Sequence, residues 1–137
     1  MCIRDSIATV PRKENGRSLR ILIVEDNIDS GDTLSTLLRL RGHDVMLVRS
    51  GTTAVEIGPA YRPEVVLCDI GLPGIDGYEV ARHFRALPEF ANILMCALTG
   101  FTPSEADRDR PRQAGFNHHL IKPLSLDKLL GLLKSVV

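Results

Sequence analysis

Short apolar runs alternate with segments of helical periodicity along most of the chain. The runs at 21–24 and 65–68 are entirely apolar and bounded by charged residues, which is typical of buried strands. Between the runs, apolar side chains recur at the spacing of one helix face, most regularly in the last segment. Strands that alternate with helices indicate βα units and a parallel sheet. The predicted strands are Arg20–Val24, Asp44–Val48, Val65–Asp69, Ile93–Leu98 and Asn117–Ile121.

The first and last predicted helices carry start and stop signals. The first is expected over about Ser30–Arg41, and Gly42 is expected to end it because glycine accepts the backbone that follows many helices. The last is expected over Leu126–Val137, with Ser125 as its N-cap. The leucine stripe of this last helix is interpreted as core packing.

Proline residues mark two irregular segments. The second helix, about Thr52–Tyr61, contains Pro59, which removes a backbone hydrogen bond and predicts a kink or an early end. The fourth helix is predicted to open with a capping box made by Thr102 and Glu105. Pro111, further along, is expected to end or bend that helix.

Charged and polar side chains follow the predicted strands at their C-terminal ends. Glu25 and Asp26 follow the first strand, and Asp69 ends the third. Thr99 follows the fourth strand, and Lys122 follows the fifth. Because the C-terminal ends of parallel strands meet at one edge of a sheet, these side chains form a candidate site. Three carboxylates beside one ammonium group suit a divalent cation and a phosphoryl group.

Each of these signals is weak when taken alone. An acidic pair after a strand is usually a helix cap or a solvated turn, and a lone Lys-Pro or Thr-Gly pair usually belongs to a turn or a strand end. Their occurrence in order, each at a predicted strand end, is what indicates a site. The pair Asp76-Gly77, by contrast, is interpreted as turn chemistry only.

The same residues resemble the receiver domain of two-component response regulators. The resemblance extends from about Arg20 to Val137. It implies an α/β fold, a single doubly wound (βα)5 domain of the flavodoxin-like type with a five-stranded parallel sheet in the order 2-1-3-4-5. The matching features are Glu25-Asp26, Asp69 with Pro73 and Gly77 behind it, Thr99-Gly100 and Lys122-Pro123.

The resemblance also implies a role for each acidic residue. Asp69 would be the nucleophile that accepts a phosphoryl group from a phosphohistidine, giving an aspartyl phosphate. Asp26 and Asp69 would bind Mg²⁺ directly, since this ion prefers oxygen ligands. Glu25 would act on the ion through a water molecule, and Gly71 through its backbone carbonyl.

The remaining implied roles concern the phosphoryl group and the response to it. Lys122 would neutralise phosphoryl oxygens, the Thr99 hydroxyl would donate to one, and the Lys122-Pro123 bond would be cis. In many receivers an aromatic residue three positions before the lysine turns inward with the threonine; here that position is His119. A coupled movement of Thr99 and His119 is therefore the predicted switch, and an inert histidine is the alternative. The implied partners are a histidine kinase or a histidine phosphotransfer domain, and a downstream protein on the face of the fourth and fifth helices.

Two other classes of protein place related chemistry on a doubly wound sheet. A Mg²⁺-dependent phosphohydrolase of the haloacid-dehalogenase type also uses an aspartyl nucleophile, but in an Asp-x-Asp pair after the first strand, where this chain has Glu25-Asp26-Asn27. An FMN carrier would need a phosphate loop rich in Ser, Thr and Gly, and the acidic loop here would repel the phosphate. The leading interpretation is therefore a phospho-accepting signalling module and not an enzyme, with the phosphohydrolase as the alternative.

Composition adds limits to this interpretation. The 137 residues suffice for one domain with a single core. With 17 basic and 17 acidic residues, the charge gives no sign of a nucleic-acid surface. No apolar run is long enough to span a membrane, so no membrane contact is expected. Cys68 and Cys96 lie in predicted strands and are expected to be buried thiols, which favours a reducing, cytoplasmic location.

The first residues indicate a leader that does not belong to the fold. Residues 1–6 resemble the translation of a transposase adapter used in sequencing libraries, and residues 7–19 have the composition of an interdomain linker. We therefore expect residues 1–19 to lie outside the domain and residues 20–137 to form it. The linker and the strings at 69–77 and 118–123 favour the C-terminal receiver of a hybrid histidine kinase over a stand-alone regulator.

Overall fold

Strands and helices alternate along the chain in a computed structural model that describes residues 18–100 and 109–136. The strands are β1 (Arg20–Val24), β2 (Asp44–Val48), β3 (Val65–Asp69), β4 (Leu94–Thr99) and β5 (His118–Ile121). The α-helices are α1 (Ile28–Leu40), α2 (Gly51–Tyr61), α3 (Gly77–Arg85), α4 (Arg110–Ala114) and α5 (Leu126–Lys134), and a 3-10 turn spans Pro88–Phe90.

The five strands form one parallel sheet in the order β2-β1-β3-β4-β5. This confirms the doubly wound α/β fold. The bounds of β1, β2 and β3 agree with the prediction residue for residue, whereas β4 is shifted by one residue and β5 begins one residue later. Since successive side chains of a strand point to opposite faces, the apolar runs supply both faces of this sheet.

Two apolar clusters cover the two faces of the sheet. On one face, Leu22 and Val24 of β1 pack with Ala54 of α2 and with Phe84 of α3. On the other face, Ile21 and Ile23 of the same strand belong to a separate cluster. The members that α1 and α5 contribute to that second cluster are Leu34, Leu38, Leu129 and Leu133. The leucine stripe of the last helix is thus core packing, as predicted.

Side-chain caps fix where several helices begin. Ser125 accepts a hydrogen bond from the Lys128 amide at 3.3 Å, which confirms it as the N-cap of α5. Asn27 caps α1 in the same way, so this helix begins at Ile28, two residues earlier than predicted. It ends at Leu40, and Gly42 follows with a φ of 92°, the left-handed backbone for which glycine is suited.

The pair Asp76-Gly77 does more than the predicted turn. Asp76 is the N-cap of α3, and its carboxylate accepts a hydrogen bond from the Glu79 amide at 3.0 Å. Gly77 is the first residue of that helix, and a Cβ there would lie 2.6 Å from the Asp69 carbonyl oxygen. Glycine at this position therefore lets the start of α3 approach the end of β3 closely.

The predicted early end of α2 at Pro59 is wrong. Pro59 lies inside α2, which continues to Tyr61, the predicted last residue. The residue before it, Gly58, is buried, and a Cβ there would lie 2.8 Å from the Phe84 ring and 3.0 Å from Leu22. The close packing of this last turn on the core outweighs the hydrogen bond that the proline removes.

The structure describes only part of the region predicted as the fourth helix. The capping box at Thr102 and Glu105 lies outside the described residues. Within them, Pro111 neither ends nor bends a helix, because it is the second residue of α4 and is buried. Proline is favoured in a first helical turn, where its missing N–H has no partner to lose.

The two strand cysteines are buried thiols, as predicted. Cys68 and Cys96 are both free and fully buried. Burial raises the pKa of Cys96 to about 12, and burial together with nearby carboxylates raises the pKa of Cys68 as well. The two residues lie on opposite faces of the sheet, in the two separate apolar clusters.

The residue before β1 is part of the packed structure. Leu19 is 1% exposed, its carbonyl accepts from the Asp44 amide at 2.9 Å, and its amide donates to Nδ1 of His43 at 3.1 Å. Residues 1–17 of the expected leader lie outside the described residues.

Candidate functional site

The register of the sheet places the predicted site residues beside one another. Val24 of β1 pairs with Cys68 of β3, so the next residues, Glu25 and Asp69, are neighbours at the C-terminal edge. On the other side of β3, Asp69 pairs with Leu98 of β4, one residue before Thr99. The predicted residues of the first, third and fourth strands therefore meet at one edge, as the strand pattern indicated.

Lys122 connects two of these carboxylates. Its Nζ lies 2.7 Å from Oε1 of Glu25 and 3.0 Å from Oδ2 of Asp69. The backbone holds the base of this side chain in place, because the Lys122 amide donates to the Thr99 carbonyl at 2.7 Å. The Lys122-Pro123 peptide bond is cis, as the resemblance implied.

The burial of Glu25 makes this ion pair electrostatically demanding. The Glu25 side chain is 2% exposed, whereas that of Lys122 is 27% exposed. Burial raises the pKa of Glu25, and Asp69 raises it further, against the hydrogen bonds from Lys122 and from the Asn27 amide. Burial by itself lowers the pKa of Lys122, but the hydrogen bonds and charges of Glu25 and Asp69 outweigh it, so this pKa is raised. The cluster thus keeps a positive charge between two carboxylates.

The three acidic residues are close enough to share a cation. Carboxylate oxygens of Glu25, Asp26 and Asp69 lie within 4.8 Å of one another, and among the described residues they form the one such group of potential metal ligands. Glu25 is buried, Asp69 is partly exposed and Asp26 is exposed, so solvent reaches the group from one side. Oxygen donors with access to water fit Mg²⁺, which commonly binds one or two carboxylates and keeps several waters.

The loop after β3 shapes the surroundings of Asp69. The Gly71 amide donates to Oδ1 of Asp69 at 2.9 Å, and the Ile70 amide donates to the Leu98 carbonyl at 3.0 Å. The contact the structure gives Gly71 is thus through its amide, and the predicted role of its carbonyl as a metal ligand stays a prediction. Asp69 ends a strand that is paired with β1 on one side and with β4 on the other, so its backbone position is fixed.

The two residues of the predicted switch lie in different environments. Thr99, the last residue of β4, is 3% exposed. His119 lies on β5, pairs with Ala97 and is exposed. The His119 ring is exposed in this state, and its role in the switch stays a prediction.

Two residues of the site were missed by sequence reasoning. The Asn27 amide donates to Oε2 of Glu25 at 3.1 Å while its side chain caps α1, so it orients the buried carboxylate. Gly51, the first residue of α2, lets this helix approach the loop after β3, because a Cβ there would collide with the Ile75 carbonyl. An asparagine directly before a helical segment signals a cap, whereas the contact of Gly51 has no sequence signal.

The site opens into a cleft of about 710 Å³ at the end of the sheet. Its walls come from the acidic cluster, from Lys122 and from the first residues of α1. A cleft of this kind admits a small charged group to Asp69. In residues 18–100 and 109–136, no helix has the length and apolar character needed to cross a membrane.

Comparison with known proteins places most of the chain in one family. The family model of the response regulator receiver domain matches residues 21–134. The polar-differentiation response regulator DivK of Brucella anthropi is 30% identical over 115 residues, which cover 84% of this chain and 93% of that protein.

Solved structures agree with the sequence relatives. The receiver domain of the sensor histidine kinase PA1611 from Pseudomonas aeruginosa PAO1, with a magnesium ion coordinated in its active-site cleft, is 34% identical. It covers 87% of this chain and 97% of its own, with a TM-score of 0.77. The signal receiver domain of a signal transduction histidine kinase from Syntrophus aciditrophicus is 28% identical. That match covers 87% of this chain and 89% of the Syntrophus chain, with a TM-score of 0.78. With the family model matched across nearly all of the folded residues, this chain belongs to the response regulator receiver domains.

Proposed function

We propose that this receiver takes a phosphoryl group from a phosphohistidine onto Asp69 and relays the change through Thr99 and His119. The observation that carries the proposal is the position of Lys122, whose Nζ contacts both Glu25 and Asp69 beside the three-carboxylate cluster. A charge held there meets the oxygens of any phosphoryl group that arrives at Asp69. Receiver domains are modules of two-component signalling, which suits this chemistry.

The covalent chemistry that the protein contributes to the transfer is limited to the attack by Asp69. A carboxylate oxygen of Asp69 attacks phosphorus, and the P–N bond to the donor imidazole breaks as the imidazole leaves. Lys122 is free to follow the phosphoryl oxygens because its ammonium sits on a flexible stem and contacts Asp69 at 3.0 Å before the reaction. Thr99, at the end of β4, is the proposed hydroxyl donor to the same group.

A divalent cation completes the proposed site. Asp26 and Asp69 would hold Mg²⁺ directly, with Glu25 acting through water and Gly71 through its carbonyl. When bound, the ion supplies positive charge that neutralises the phosphoryl oxygens. The magnesium ion in the active-site cleft of the Pseudomonas receiver supports this assignment.

The relatives support a place for the chain in a phosphorelay. Two of the structural relatives are receivers of histidine kinases, which supports a hybrid-kinase origin for residues 20–137. The donor is then a histidine kinase or a histidine phosphotransfer domain in the cytoplasm. A downstream protein would read the face formed by α4 and α5.

Two phosphate compounds separate this function from the phosphohydrolase. Phosphoramidate carries the P–N bond of a phosphohistidine, whereas p-nitrophenyl phosphate is a phosphate ester. We expect the protein with Mg²⁺ to take up phosphate from phosphoramidate in a stoichiometry approaching one, without sustained release of p-nitrophenol from the ester. Sustained ester turnover that depends on Asp69 would instead favour the phosphohydrolase.

Lys122→Ala is expected to separate phosphorylation from cation binding. Loss of a positive charge aimed at the transferred group should slow phosphorylation by roughly 10²-fold, the usual effect of removing one such donor. Mg²⁺ affinity should not fall, because Lys122 holds Asp69 in the absence of the ion and repels a cation. Rates of labelling by phosphoramidate and Mg²⁺ titrations followed by NMR measure the two effects.

The control for this variant is Lys128→Ala, which removes an exposed lysine of α5. It should change neither quantity. Equal losses of Mg²⁺ affinity and labelling in Lys122→Ala would contradict the proposed division of roles.

The proposed switch predicts a change at one of two adjacent histidines. On binding of the phosphate mimic beryllofluoride with Mg²⁺, His119 should move from its exposed position into a less polar one, and its ring resonances should shift. His118 is also exposed but points to the other face of β5, so its resonances serve as the control. Thr99→Ala should abolish the His119 shift. Helix resonances that respond while His119 does not would remove this residue from the switch.

A further inference from the structure

The strand that presents Lys122 is poorly anchored by apolar contacts. β5 has four residues and lies at the edge of the sheet, and Leu120 is its one buried residue. Where few apolar residues mark the inner face, the hydrophobic pattern specifies strand register weakly. A slip of one residue would turn each side chain to the opposite face and remove Lys122 from Asp69. Something other than apolar packing must fix this strand.

A polar clamp fixes the beginning of the strand. Oδ1 of Asn117 accepts two hydrogen bonds, from the Met95 amide at 2.7 Å and from Nη2 of Arg85 at 2.9 Å. The Asn117 amide donates to the Met95 carbonyl at 2.7 Å. Asn117 thus pairs with Met95 of β4 through both its backbone and its side chain. This double contact specifies the register where β5 begins.

Arg85 holds the clamp against the end of α3. Its Nε donates to the Gly115 carbonyl at 2.9 Å, and its Nη1 donates to the carbonyls of Phe90 and Ala91 at 2.7 and 3.0 Å. Gly115 has a φ of 123°, and a Cβ there would lie 2.6 Å from Cγ of Arg85. The turn before β5 is therefore shaped to receive this one side chain.

We propose that Arg85 and Asn117 are positioning residues that set the register of β5 and thereby hold Lys122 against Glu25 and Asp69. Lys122 follows Asn117 by five positions, and the Lys122 amide closes the same β4–β5 ladder on the Thr99 carbonyl at 2.7 Å. The clamp lies at the N-terminal end of β5, whereas the acidic cluster lies at the C-terminal ends of the strands. The effect on phosphorylation rests on the proposed function, whereas the effect on strand register does not.

The test compares two substitutions of Asn117. Asn117→Leu keeps the approximate size but removes the acceptor, and Asn117→Asp keeps an acceptor for both donors. Two readouts apply: the labelling rate with phosphoramidate, and hydrogen exchange of the Lys122 amide measured by NMR. A merely structural role would not single out the Lys122 amide.

The clamp predicts a selective loss in Asn117→Leu. Labelling should slow by roughly tenfold or more, since misplacing a group by an ångström costs up to about 10²-fold. The Lys122 amide should exchange several-fold faster, the amides of β1 should keep their protection, and Mg²⁺ affinity should stay within about twofold, because the carboxylates lie on other strands. Asn117→Asp should behave as the wild type. Arg85→Lys cannot make the four contacts of the guanidinium, so it should show the same losses as Asn117→Leu. If Asn117→Leu does not fold, Arg85→Lys serves as the test of the clamp in its place.

Two controls guard against general destabilisation. His118→Leu changes an exposed neighbour on the same strand, and Val45→Ala weakens the core at the far edge of the sheet. Both should keep the labelling rate and the protection of the Lys122 amide. The proposal is overturned if Asn117→Leu retains both properties, if Asn117→Asp loses them equally, or if Val45→Ala loses them to the same degree.

A failure of the clamp and a failure of the proposed function give different results. If the wild-type protein takes no phosphoryl group, the proposed function is wrong, and the exchange of the Lys122 amide decides on the clamp by itself. Faster exchange in Asn117→Leu but not in Asn117→Asp then supports the clamp, and equal protection in all three proteins overturns it.

Discussion

Asp69→Asn should take up no base-labile phosphate from phosphoramidate while it keeps the wild-type fold. The amide is not a nucleophile toward phosphorus, so the loss should be complete within detection. The fold should remain because the asparagine oxygen can still accept from the Gly71 amide, and Lys122 keeps its contact with Glu25 at 2.7 Å. Labelling measures the first effect, and thermal unfolding followed by circular dichroism measures the second.

The matched control is the same substitution at another carboxylate nearby. Asp76→Asn changes the N-cap of α3, where asparagine caps about as well as aspartate. This variant should label like the wild type. Base-labile labelling of Asp69→Asn at the wild-type level would show that another residue is the acceptor.

Asp26→Ala and removal of Mg²⁺ by a chelator should have the same effect. Either change removes positive charge from the phosphoryl oxygens, and labelling should fall by roughly 10²-fold or more, since a bound cation contributes several kcal/mol to such a step. Neither should unfold the domain, because the two apolar clusters of the core do not include the acidic residues and only the stability linked to ion binding is lost. Labelling and thermal unfolding, each with and without Mg²⁺, measure both effects.

Asp29→Ala provides the control for this prediction. Asp29 lines the same cleft on the first turn of α1 but does not belong to the group of three carboxylates. It should label normally and keep its dependence on Mg²⁺. Unchanged labelling of the wild type in metal-free buffer would remove the cation from the account.

The bounds of β1, β2 and β3 were predictable residue for residue from the sequence, whereas those of β4 and β5 were not. β1 and β3 are buried on both faces, so their apolar runs, 21–24 and 65–68, match the strands to within one residue. β5, at the edge, has a single buried residue, and its first residue was placed one position too early. Burial on two faces leaves a clear pattern in the sequence, whereas the exposed side chains and polar contacts of β5 do not mark where that strand begins.

The site was predictable where it depends on strand order and hidden where it depends on close contact. Glu25, Asp69 and Lys122 each follow a strand, and parallel strands bring such residues together. The approach of Gly51 to the Ile75 carbonyl joins segments that are distant along the chain, and no local pattern reports it. The same holds for Pro59, whose helix continues because the neighbouring Gly58 packs on Phe84.

The measurement that tests the central claim most directly is the location of the phosphoryl group. Borohydride reduces an aspartyl phosphate to homoserine, and mass spectrometry of the digested protein then identifies the altered residue. After labelling with phosphoramidate and Mg²⁺, we expect homoserine at position 69, and none there when Mg²⁺ is left out. Homoserine at another aspartate, or a labelled protein that carries its phosphate on a serine, threonine or histidine instead, would contradict the account.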